Sequence, residues 1–411
     1  MNKELLELLY ESASIQRWND HIRPHKGFTE LDKQGHKMYF AFIIGRLEEI
    51  DRNVSIEWAD LIEGGVFEFL HRIIVTDIKP PIFYKLMEKK SEELNRWVLQ
   101  ELVDKGVHLP QGFLERFRKY LEQPDLEQLE RRILKAAHYL ATNWEFKFIY
   151  HMSAGLYGLD DTKARIENEI EEHYNIAGVQ KLSLSKKTSN FLDLVGQLRF
   201  QQRWAQSPRI PETSVMGHML IVALMAYFFS LELQACPSRL VNNFFGGLFH
   251  DLPEVLTRDI VSPVKRAVKG LDVLIKDIES RQIEEQIFPL IPQELHDQIR
   301  YYTENEFQSK IIREGRIEIV STDVISNRYN NDIYAPLDGE ILHACDQLAA
   351  YLEAAISLKH GIRSNHIQNA FLALQQDNRD LKVGGIDFGV IYDMFRAQLT
   401  LGVPEHRTVV T

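Results

Sequence analysis

One plan is written twice in this chain, and no other feature limits its fold as strongly. "LLELLYESASIQRW", ending in Gln16, Arg17 and Trp18, matches "FLDLVGQLRFQQRW", ending in Gln202, Arg203 and Trp204. "GGVFEFLHRIIVTDIKPP" from Gly64 matches "GGLFHDLPEVLTRDIVSP" from Gly246, and "ILKAAHYLA" from Ile133 matches "ILHACDQLA" from Ile341. Each half also has a Gly-His pair, Gly35-His36 and Gly217-His218, and His36 to Glu68 and His218 to His250 both span 32 positions. The shared positions are glycines and polar residues, which core periodicity does not dictate. The chain is therefore read as a tandem duplication, with a first copy at 1–155, an acidic connector at 156–184 and a second copy at 185–411.

Each copy reads as all-α. Helical periodicity recurs at 191–203, 215–233, 240–256, 273–290 and 340–358, and strand-like alternation is confined to "GRIEIVSTDVIS" at 315–326. From His250 to Asp346 is 96 positions, whereas Glu68 to His138 is 70, so the second copy has about 26 extra residues around 306–340. This insertion is expected to form a small β-hairpin and to serve either as a lid or specificity loop, as inserted loops beside sites often do, or as a surface ornament. The run "MLIVALMAYFFSL" is too short to span a bilayer and reads as a buried core helix.

Composition narrows the partners. A net charge of -11 disfavours nucleic acid and anionic membrane as partners. The two cysteines, Cys236 and Cys345, have no CxxC spacing, so neither a disulfide framework nor a cysteine zinc site is expected. The N-terminus, "MNKELLELLYESASIQRW", has acidic residues where a signal peptide needs an unbroken apolar core. A cytoplasmic protein is expected.

The second copy carries the chemistry. His218, His250, Asp251 and Asp346 offer two imidazoles and two carboxylates, a donor set for one divalent ion such as Mn, Co, Ni, Fe, Zn or Mg. Charged groups placed among apolar helix residues need such compensation. A site of this kind suits the activation of water near neutral pH.

The sequence "RW", then His218, then "HDLPEVLTRDIVSPVK", then "ACDQLAAYLE" resembles the HD superfamily of metal-dependent phosphohydrolases, and within it the 5'-deoxynucleotidase branch. The resemblance covers most of the second copy. It implies that His218, His250, Asp251 and Asp346 hold the metal and that Glu254 orients or deprotonates water. It further implies that Asp259 protonates the leaving oxygen, that Arg203 grips the phosphate, and that Trp204 and Lys265 complete the substrate pocket. The implied reaction is removal of the 5'-phosphate from a (deoxy)nucleoside monophosphate by metal-activated water. A deoxynucleoside triphosphohydrolase and a non-catalytic nucleotide sensor are the alternatives, and retention of Glu254 and Asp259 disfavours the sensor.

The first copy keeps His36 and Asp77 but has Glu68-Phe69 in place of the His-Asp pair, Arg72 in place of Glu254 and His138 in place of Asp346. Phenylalanine ligates no metal, and Arg72 would repel a cation. His36, Glu68, His71 and His138 are chemically acceptable zinc ligands, but the expected reading is a degenerate domain. Its expected roles are to pair with the second copy as an intramolecular pseudo-dimer, alongside a possible homo-oligomer, or to bind a nucleotide as a sensor.

Overall fold

The computed structural model describes residues 1–19, 28–76, 78–123, 127–258 and 270–400, so Asp77, Asp259 and Lys265 lie outside the described residues. The order is α1 (Lys3–Glu11), α2 (Glu30–Arg52), α3 (Trp58–Val75), α4 (Pro80–Asp104), α5 (Phe113–Glu122) and α6 (Leu129–Met152). Next come α7 (Leu159–Glu171), α8 (Ala177–Ser183), α9 (Lys187–Gly196), α10 (Val215–Glu232), α11 (Pro237–Phe249) and α12 (Glu254–Thr257). The chain continues through α13 (Leu271–Gln282), α14 (His296–Thr303), α15 (Gly339–Lys359), α16 (Asn365–Asp377) and α17 (Phe388–Thr400). The fold is all-α, as the periodicity predicts, with two small antiparallel strand pairs among the described residues.

Helix α10 is the centre. Every residue from Val215 to Ser230 is buried, because the helix is apolar on all sides and its neighbours cover each face. Among the described residues it is the one helix long and apolar enough to cross a membrane, and 89% of it is buried inside the protein. It packs on α2, α11 and α15. The contact with α11 is backbone to backbone at Gly247, where a Cβ would lie 2.8 Å from the Ala223 Cα. Only glycine permits that approach. Helix α2 in turn packs on α6, and α3 packs on both α6 and α11, so the N-terminal and C-terminal halves share one continuous core.

Three local expectations are corrected. The pattern at 240–256 predicts one helix, yet α11 ends at Phe249 and α12 begins at Glu254. Pro253 has no N–H to return to the Phe249 carbonyl, which accepts the Leu252 N–H at 2.9 Å in a tight turn instead. The pattern at 273–290 ends as a regular α-helix at Gln282 and continues in wider and tighter turns. The alternation at 315–326 is strand only in its first part. β1 (Lys310–Arg313) pairs with β2 (Arg316–Ile319) across Glu314-Gly315, both at positive φ of 52° and 73°, as a two-residue hairpin turn requires. Ser321 then caps a helical turn by accepting the Val324 N–H at 3.3 Å, which ends the strand.

Candidate metal centre

His218 lies in the first turn of α10, four residues past the N-cap Ser214, whose hydroxyl accepts the Gly217 N–H at 2.9 Å. His250 is the C-cap of α11, and Asp251 occupies the turn that Pro253 forces. Asp346 projects from α15. Three chain-distant segments therefore converge. His218 Nε2 is 2.9 Å from Asp346 Oδ1, His250 Nε2 is 3.0 Å from Asp251 Oδ2, and the two rings are 5.5 Å apart. Asp251 Oδ2 is also 3.9 Å from His218 Nε2.

The donors fit a divalent ion. One ligand atom each from His218, His250 and Asp346 lies within 4.8 Å of the others, while Asp251 flanks this group beside both imidazoles. His250 Nδ1 is 2.8 Å from the Gly247 carbonyl, so with its proton there the ring presents Nε2 to the cleft, toward the Asp251 carboxylate. Burial favours neutral His250, but the Asp251 and Asp346 carboxylates outweigh it and raise the imidazole to about 9. Burial opposes ionisation of Asp346 and Asp251 too, yet the two histidines draw Asp346 down to about 2 and, with Arg203, hold Asp251 well below the usual carboxylate range. The pocket is thus built to hold positive charge between its carboxylates.

The neighbouring arginine segment is tied to a residue that sequence reasoning missed, Glu353. Its Oε2 accepts the Trp204 indole N–H at 2.7 Å and lies 3.4 Å from Arg203 Nε, while its Oε1 accepts the Thr213 hydroxyl at 2.6 Å. Arg203 then reaches toward the histidine cluster, with Nη1 3.8 Å from Asp251 Oδ2. Burial disfavours the Glu353 carboxylate, but Arg209 and Arg203 hold it at about 2. The signal for Glu353 was present: it lies seven residues past Asp346 in "ACDQLAAYLE", two turns on and on the same helix face. Trp204 is anchored by its N–H to protein, at a φ of 57°. Glu254 is buried at the start of α12, and the helix break places it on a separate turn from His250, not farther along one helix as its spacing predicts. The insertion contributes Phe307, whose ring lies 6.0 Å from His250 and stacks on His343 at 4.8 Å.

The N-terminal half has a matching frame and a different filling. Arg17 Nε and the Trp18 indole reach Glu145 at 2.9 and 2.8 Å, as Arg203 and Trp204 reach Glu353. A backbone bridge joins Gln16 to Thr29, as another joins Gln202 to Ser214. Thr29 is the N-cap of α2, so the residue four places on, the counterpart of His218, is Lys33 and not His36. The equal spacing of the two Gly-His pairs is therefore not a site correspondence. Lys33 Nζ lies 2.5 Å from His138 Nδ1, and Lys37 pairs with Glu68. The zinc set considered for this half is overturned: His36 turns to the Leu192 carbonyl at 2.9 Å, and His71 to Asn95 Oδ1 at 3.3 Å. Lysine side chains stand where the other half gathers its histidines and aspartates.

An HD-domain family model matches residues 195–375, the segment that holds this site. The chain is similar to a 5'-deoxynucleotidase of Vibrio atlanticus, at 25% identity over 31% of this chain and 70% of the relative. It is 26% identical to a 5'-deoxynucleotidase of Vibrio cholerae over 31% of this chain and 69% of the relative. A 5'-deoxynucleotidase of Pasteurella multocida matches at 25% over 29% of this chain and 62% of its own length. These matches support an HD-superfamily phosphohydrolase.

Proposed function

We propose that the C-terminal half is a metal-dependent phosphomonoesterase that releases inorganic phosphate from (deoxy)nucleoside 5'-monophosphates. The observation that carries this reading is the convergence of His218, His250, Asp251 and Asp346 beside Arg203, a cation site next to a guanidinium. Those four side chains would hold one divalent ion, with both histidines neutral and both aspartates ionised. When bound, such an ion lowers the pKa of water and draws electron density from a phosphoryl oxygen.

The remaining steps belong to this chain's own groups. Arg203, oriented by Glu353, binds phosphoryl oxygens through its planar fork. Glu254, buried at the start of α12, accepts a proton from the attacking water. Asp259, outside the described residues, is assigned to protonate the departing 5'-oxygen, and Lys265, likewise outside them, to the substrate pocket. The N-terminal half, 1–155, is read as a degenerate copy joined by 156–184 to the catalytic copy, 185–411. The shared Arg-Trp-Glu frame supports this division.

The test is product analysis with deoxynucleoside mono- and triphosphates in the presence of Mn, Co, Mg or Zn. Release of inorganic phosphate from monophosphates is expected. Tripolyphosphate from triphosphates, or no product with any metal, would refute the assignment.

A further inference from the structure

The first turn of α2 follows the usual pattern of a capped helix start. The Thr29 hydroxyl accepts the Asp32 N–H at 3.2 Å and donates to the Asp32 carboxyl at 2.6 Å. The first turn of α10 lacks this acid. Its N-cap is Ser214, and the position three residues on is Gly217, which has no side chain to offer. The missing group comes from the other half of the molecule: the Ser214 hydroxyl donates to the free oxygen of the same Asp32. Gly217 makes room for it, since a Cβ there would lie 3.1 Å from Asp32 Oδ1 and 3.0 Å from Leu31. One buried carboxyl group thus accepts the hydroxyls of two helix N-caps.

The capped residue is a branch point for the metal centre. The Ser214 carbonyl accepts the His218 N–H at 3.0 Å in the first turn of α10. On its other side, Gln202 pairs with Ser214, and Arg203 N donates to the Thr213 carbonyl at 3.1 Å. A shift at Ser214 therefore moves a metal ligand and the phosphate-binding arginine together. Burying a carboxyl group is costly, and a core position would be filled more cheaply by an apolar side chain.

We propose that Asp32 is a positioning residue for the metal centre: by capping Ser214 across the two halves, it fixes His218 relative to His250 and Asp346. This rests on the metal-dependent reading above. It gives the N-terminal half a task that needs no chemistry of its own.

The experiment measures Mn affinity by calorimetry on the full chain, with the folded fraction checked by circular dichroism. Wild type, Asp32→Gly, Ser214→Ala, and the exchange variant Asp32→Gly with Gly217→Asp are compared. Loss of partners that orient metal ligands typically weakens metal binding about 10- to 100-fold. A loss of about 10-fold is expected in Asp32→Gly and in Ser214→Ala, which deletes only a hydroxyl. The exchange variant, which returns an acid to the third position of α10 itself, is expected to regain most of it. Wild-type Mn affinity in folded Asp32→Gly and Ser214→Ala proteins, with only the melting temperature lowered, would show a structural cap and overturn the proposal. Absence of Mn binding by wild type itself would instead overturn the metal-dependent reading, and this proposal with it.

Discussion

Lys33 Nζ meets His138 Nδ1 at 2.5 Å in the N-terminal half, where His218 Nε2 meets Asp346 Oδ1 at 2.9 Å in the C-terminal half. An amine has taken the place of the His218 imidazole, and a second amine, Lys37, neutralises Glu68 nearby. Burial lowers the proton affinity of both Lys33 and His138 far below their usual values, and neither brings the negative charge that Asp346 and Asp251 supply in the other half. The chain should accordingly bind one transition ion, not two. Equilibrium dialysis against Mn checks this, and two ions per chain would contradict it.

Glu353 holds Arg203, Trp204 and Thr213 at once. Glu353→Gln removes the charge that compensates Arg203 and Arg209 in a buried place, and leaving buried charges unpaired costs about 3–5 kcal/mol. The variant should melt at a clearly lower temperature and show KM for phosphomonoesters raised at least about tenfold, with a smaller change in Mn affinity. Calorimetric melting and steady-state kinetics test this split. An unchanged KM would remove Glu353 from the phosphate site.

Acid should weaken this fold in two stages. Burial holds His36 at about 3 in the folded protein, against 6.5 for the free side chain, so the unfolded chain takes up the extra proton as pH falls from about 6.5 toward 3. Its contribution is complete above pH 6.5 and drains below it. Glu353, despite the opposing effect of burial, is held at about 2 by Arg209 and Arg203 against 4.5, so its contribution is present above pH 4.5 and lost as pH falls toward 2. Stability from urea titrations should therefore begin to drop near pH 6.5. His36→Gln, which retains a donor for Leu192, should flatten the slope between pH 6.5 and 4.5.

Gly247 lets α11 touch α10 at the Ala223 backbone. Gly247→Ala places a methyl group against main-chain atoms that cannot swing aside, a change of the overpacking kind that typically costs about 1–3 kcal/mol. Denaturant unfolding should register that loss. Because His250 is the C-cap of the same helix, Mn affinity should fall as well.

Much of this was legible in the sequence, for identifiable reasons. The apolar run of α10 could only be a buried helix, and the histidine and aspartates set among apolar residues could only be compensated together. Glu353 was missed because a lone glutamate in a helix ordinarily faces water, although its spacing from Asp346 placed it on the same face. His36 was matched to His218 because equal spacing was read as equal position, whereas the N-caps Thr29 and Ser214 set the register and differ from it by almost one helical turn. Asp32 left no trace in sequence, since its partner Ser214 lies 182 residues away in the other half. The helix break at Pro253 was readable from proline's missing N–H, but the periodicity around it masked the signal.

The most direct measurement of the central claim is the anomalous scattering of crystals grown with Mn. One peak is expected, bonded by His218, His250, Asp251 and Asp346, and it should vanish in crystals of His250→Ala. Absence of a peak among these four side chains in the wild-type protein would contradict the account.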